Sequence, residues 1–146
     1  MTTAEQPEKP PLTPVLALVL ALHYMADADQ IYREEEYETV VTLWYGLMRH
    51  RLASVSLETL KYQAGLYRAS TALDAYLAEA GALFTPEQKL CVLVNIADIA
   101  LVDGGLVVEE RETFQKFLEE FGVSREEIEP YLVGITMRHQ LSSFVA

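Results

Sequence analysis

The chain has 146 residues, 51% hydrophobic and 23% charged, with 11 basic against 22 acidic residues and a formal net charge of −11. That composition suits one globular domain with its own core and argues against a disordered chain. The negative charge, with basic residues scattered along the chain, disfavours nucleic acid as a partner and favours divalent cations or a basic protein.

Residues 1–12 are polar and proline-containing and read as a flexible leader, with residues 13–146 forming a single helical domain. Thr13 and Pro14 place an N-cap and a first-turn proline ahead of PVLALVLALHYMA, residues 14–26. That segment is apolar on nearly every side, which predicts a helix enclosed by others. It is too short to span a bilayer, and the MTTAEQPEKP ahead of it lacks the basic start of a signal peptide, so no membrane insertion is expected.

After the break ADADQIY, the stripe of Tyr37, Val40, Val41, Trp44 and Leu47 predicts a second helix over about 34–50. Ser54 and Ser56 offer caps for SLETLKYQAGLYRASTALDAYLAEAG, one helix or two, with Gly65 the weak point and Gly81 the stop. TPEQ, residues 85–88, is a capping box opening the apolar helix KLCVLVNIADIALV. Within it the lone Cys91 has no partner for a disulfide and reads as a small core residue in a reducing compartment, which points to the cytoplasm.

DGGLVV then leads into the amphipathic EERETFQKFLEEF, ended by Gly122. Ser124 and Glu127 form a second capping box, with Val123 and Ile128 placed as a hydrophobic staple. Pro130 is expected to interrupt the last helix, which restarts from it. The fold class is therefore all-α, a compact bundle of roughly six to eight helices.

An internal echo divides the chain. An apolar helix, an acidic break and an acid-headed amphipathic helix occur near 14–50 and again near 86–121. Aligning Asp27 with Asp103 pairs the helix ends, while aligning Ile31 with Leu106 pairs Glu34 and Glu35 with Glu109 and Glu110. The registers differ by one residue, an insertion in the first joint. The bundle is thus expected to be built from two pseudo-repeated helical hairpins.

The joints carry the chemistry. Glu34, Glu35, Glu109 and Glu110 head helices, where the dipole and free N–H groups favour a carboxylate. Asp27 and Asp103 end helices, where the same dipole opposes one; a hard cation such as Ca²⁺ or Mg²⁺ would relieve both that opposition and the mutual repulsion. His23, one turn before Asp27, would admit Zn²⁺ or Mn²⁺, and Asp98, inside an apolar helix, needs a partner. Each residue also has a structural reading. First-turn glutamates stabilise helices, Asp103 with Gly104 and Gly105 suits a turn, His23 suits a hydrogen-bonded core position, and Asp98 suits a tyrosine or arginine partner.

Spacing excludes named alternatives. An EF-hand from Asp27 would put Tyr32 at the glycine position, and one from Asp103 would end on Phe114. There is no pair of Glu-x-x-His motifs, no Walker loop, no zinc-type Cys/His spacing and no nucleophile–base set. No residue set asks to be catalytic, so an enzyme using the acidic cup with His23 ranks last among the function classes.

IADIALVDGGLVVEERETFQKFLEEFGVSREEIE resembles the TerB-like (tellurite resistance) family, in which an apolar helix, Ala-Asp-Gly, an aliphatic residue and two acids recur in order. Asp103, Gly104, Leu106, Glu109 and Glu110 match the phrase, with Val102 in place of its alanine. Ala26, Asp27, Ile31, Glu34 and Glu35 match it more loosely, without the glycine, and both joints lack the family's Ser-Pro-type cap. The layout likeness spans 15–132. It implies an all-helical bundle with an acidic, metal-binding face carried by Asp103, Glu109 and Glu110 and then Asp27, Glu34 and Glu35, and a place in the stress response to tellurite. The leading expectation is a non-catalytic module binding Ca²⁺, Mg²⁺, Mn²⁺ or Zn²⁺; the runner-up is an acidic protein-interaction scaffold without metal, and a homodimer is open to either.

Overall fold

The computed structural model of the chain describes residues 8–28, 42, 45, 56–101, 108–138 and 144. Helices are the only regular elements among them: α1 (Pro14–Ala26), α2 (Leu57–Ser70), α3 (Leu73–Leu83), α4 (Pro86–Leu101), α5 (Val108–Phe121) and α6 (Arg125–Arg138). The helix expected over 34–50 lies outside the described residues apart from Thr42 and Tyr45, and so does the pairing of two repeated hairpins. None of these helices is long and apolar enough to cross a membrane.

α1 is the axis of the bundle. It packs against α2, α3, α4 and α5, which is why a helix apolar all round is stable in water. Leu16, Ala17, Leu20, Ala21, Leu22, Met25 and Ala26 are each at most 1% exposed. Thr13 caps its start, the hydroxyl accepting from the Leu16 N–H at 3.2 Å, and Pro14 occupies the first turn, where its missing N–H costs nothing.

The aromatic layer locks the other helices onto this axis. Tyr76 of α3 is fully buried and its hydroxyl donates to the Ala17 carbonyl at 2.5 Å. Its ring stacks on Tyr24 and meets Tyr67 and Phe117 edge-on, and Phe117 meets Phe121 the same way. Such edge-to-face pairs add to the area they bury.

The capping boxes form as read. The Gln88 amide oxygen accepts from the Thr85 N–H at 2.9 Å while the Thr85 hydroxyl accepts from the Gln88 N–H at 3.2 Å. Ser124 likewise accepts from the Glu127 N–H, and its hydroxyl donates to the Glu127 carboxylate. Gly122, at φ +68°, ends α5 in a Schellman turn: its N–H reaches the Glu119 carbonyl and the Val123 N–H the Leu118 carbonyl.

Four expectations are corrected. The 57–81 region is two helices, but α2 runs through Gly65 and the break falls at Thr71 and Ala72, both extended. Buried Thr71 gives its carbonyl to the Tyr24 hydroxyl at 2.7 Å, a tertiary bond that holds the break where the sequence shows no breaker. α3 continues past Gly81 to Leu83. α6 is continuous through Pro130, which is exposed, so the Glu126 carbonyl that loses its donor lies within reach of water. Cys91 is exposed, not in the core, because α4 turns Val92, Leu93, Ile96 and Ala97 inward.

Candidate functional site

The C-terminus of α1 presents His23 and Asp27 one turn apart, with the Asp27 N–H donating to the His23 carbonyl at 2.9 Å. The Asp27 carboxylate, set against the negative end of the helix dipole, is met by the Arg68 guanidinium from the last turn of α2. An arginine of the chain thus supplies the positive charge that the sequence suggested for a metal ion.

His23 is partly buried and its pKa is lowered to about 4, first by burial and then by the charges of Arg68 and Lys61. It is neutral at pH 7, the state a metal ligand needs. The same two cations that disfavour its protonation also repel a divalent ion at this end of α1. Glu34 and Glu35, the expected partners of Asp27, lie outside the described residues.

At the second joint, Asp98 sits on α4 with a side chain 19% exposed, and the Arg138 guanidinium at the end of α6 stands 3.9 Å from it. The arginine partner is one of the two alternatives open to Asp98 from sequence. Asp103 lies outside the described residues. Glu109 and Glu110 open α5 as expected and then part company: Glu109 is exposed, whereas Glu110 is 2% exposed.

Glu110 is the unusual residue. It begins the inward stripe of α5, which continues with Phe114, Phe117, Leu118 and Phe121. Its Oε1 is sealed from solvent, and the residue interacts with other groups of the chain. Enclosing a carboxylate is costly unless charge or hydrogen bonds compensate it, and the N-terminus of α5 contributes part of that.

Taken together, the described residues bring His23 and Asp27 to one end of α1, hold Asp98 on α4, and enclose Glu110 at the head of α5. Among the described residues no three His, Cys, Asp or Glu side chains gather as a metal-ligand group. Sequence reasoning offered Asp98 an arginine without identifying Arg138, and it missed Arg68 as the partner of Asp27; each of these arginines closes a helix, where cations are favoured.

Comparison with known families supplies one further finding. The family model described as tellurite resistance protein TerB matches residues 15–131. Neither the curated proteins nor the solved structures return a match.

Proposed function

Since the chain belongs to the TerB family of tellurite resistance proteins, we propose that it is a non-catalytic helical module that binds a divalent cation at the joint between α4 and α5, in the response to tellurite or metal stress. Asp103, Glu109 and Glu110 are the residues proposed to hold the ion. One observation carries this reading: a carboxylate, Glu110, is enclosed in the first turn of the helix that follows the joint. A hard cation prefers such oxygen ligands. The first joint is the weaker candidate, because Arg68 already meets Asp27 and, with Lys61, makes the region around His23 positive.

Calorimetric titration with Ca²⁺, Mg²⁺, Mn²⁺ and Zn²⁺ tests it. Saturable binding by one of them, lost when Asp103→Ala and Glu110→Ala are combined but kept in Asp27→Ala, is the expected result. Absence of binding, or binding unchanged in the double variant, removes the reading. Far-UV circular dichroism on the double variant separates lost ligands from lost fold.

A second reading, an acidic interaction scaffold, is favoured by the exposed Glu109, Glu112, Glu119, Glu120, Glu126 and Glu127 along α5 and the start of α6. It predicts a melting temperature indifferent to chelators and to all four ions. Binding to the native state alone must instead raise that temperature, by about 2.7 kcal/mol of stabilisation at a hundredfold excess over Kd.

A further inference from the structure

Far from the acidic joints in the chain order, α2 and α3 hold a carboxylate that two other groups share. The Tyr67 hydroxyl on α2 donates to Oε2 of Glu79 on α3 at 2.8 Å. Lys9, from the segment ahead of α1, donates to Oε1 of the same carboxylate at 2.5 Å. The Lys9 ammonium also stands 4.7 Å from the centre of the Tyr67 ring, so one charge is held by an anion and an aromatic face together.

The two ends of this arrangement differ in stiffness. Tyr67 is fully buried and braced edge-on against Tyr76, and its hydroxyl fixes the Glu79 rotamer. The receiving side is therefore preformed. Lys9 and Glu79 themselves remain open to water, with side chains 35% and 41% exposed. Residues 8–12, which carry Lys9, are not helical, and of them Leu12 packs against the core, only partly buried.

We propose that Lys9 is a charge latch: it straps residues 8–12 across α2 and α3, and loss of charge at Lys9 or Glu79 releases the strap and bares the Tyr67 face. A surface ion pair and an exposed cation–π contact are each weak, and fixing several residues of extended chain opposes them. The latch therefore holds by a narrow margin, and one charge decides its state. Salt acts in the same direction as charge removal, because both groups are exposed and the screening length shortens from about 10 Å at 0.1 M to about 3 Å at 1 M.

The test is backbone ¹⁵N relaxation in the full chain at Glu8, Lys9 and Leu12, the residues of the segment that carry an amide N–H. Wild type should give heteronuclear NOE values close to those of α2, falling towards those of a free terminus in 1 M NaCl. Lys9→Gln and Glu79→Gln should both release the segment, while Lys9→Arg should keep it ordered. Glu79→Gln retains an oxygen that can accept from Tyr67, so the two glutamine variants remove the latch and leave its seat. Both positions are exposed, and melting temperatures within a few degrees of wild type would show that the helices persist. A segment mobile in wild type, still ordered in Lys9→Gln or Glu79→Gln, or released by Lys9→Arg would each overturn the latch.

Discussion

His23 gives the sharpest quantitative test of the packing around α1. Its folded pKa of about 4 lies below the ordinary histidine value of 6.5, chiefly because burial disfavours the imidazolium and secondarily because Arg68 and Lys61 repel it. The unfolded chain therefore binds more protons than the folded one between those values, so stability falls as pH falls. The contribution is whole above about pH 6.5 and declines by about 1.4 kcal/mol per pH unit below it. It is down by about 1.4 kcal/mol at pH 5.5 and by about 3 kcal/mol at pH 4. Urea unfolding at pH 7.5 and 5.5 reads the first of these in a range where ordinary carboxylates stay ionised. His23→Gln should flatten the difference, and the ring protons of His23 should titrate near pH 4 by NMR. A His23 that titrates near 6.5 in the folded protein, or a pH 7.5-to-5.5 loss equal in wild type and His23→Gln, would refute the reasoning.

Three further substitutions probe the fold. Gly65→Ala should stabilise by about 0.5–1 kcal/mol, since an added Cβ meets nothing within 4 Å and alanine restricts the unfolded chain; a fall in melting temperature would contradict the open site. Gly122→Ala should destabilise by about 1 kcal/mol, because the position needs φ +68° whatever the space around it, and thermal unfolding would detect the loss. Phe117→Ala should cost about 3–5 kcal/mol in urea unfolding, from a fully buried ring that touches both Tyr76 and Phe121; a cost under 1 kcal/mol would mean that the aromatic layer is not packed as described.

Local signals were the legible part of the fold. Thr13 with Pro14, Thr85 with Gln88, and Ser124 with Glu127 each mark a helix start through contacts only three residues long, so they can be read without the rest of the chain. The all-round apolarity of 14–26 forecast its enclosure for the same reason. What escaped depends on contacts between distant segments. The break at Thr71 is tied to Tyr24, and Asp27 and Asp98 face Arg68 and Arg138, none of which is close in sequence. Glu109 and Glu110 show the boundary well. Sequence made them an equivalent pair, yet a rotation of one residue on a helix sends the first to solvent and the second into the core.

That difference gives the candidate site its shape. If a cation belongs at the α4–α5 joint, Glu110 should matter far more than Glu109, and the ion pair of Asp27 with Arg68 should be dispensable for binding. Elemental analysis of the purified protein, after equilibration with Ca²⁺, Mg²⁺, Mn²⁺ and Zn²⁺ and desalting, measures occupancy and metal identity at once. The expected result is close to one equivalent of a single metal, reduced in Glu109→Gln and absent from the Asp103→Ala and Glu110→Ala double variant. A wild-type protein that emerges with no metal, or a double variant that retains as much as wild type, would contradict cation binding at this joint.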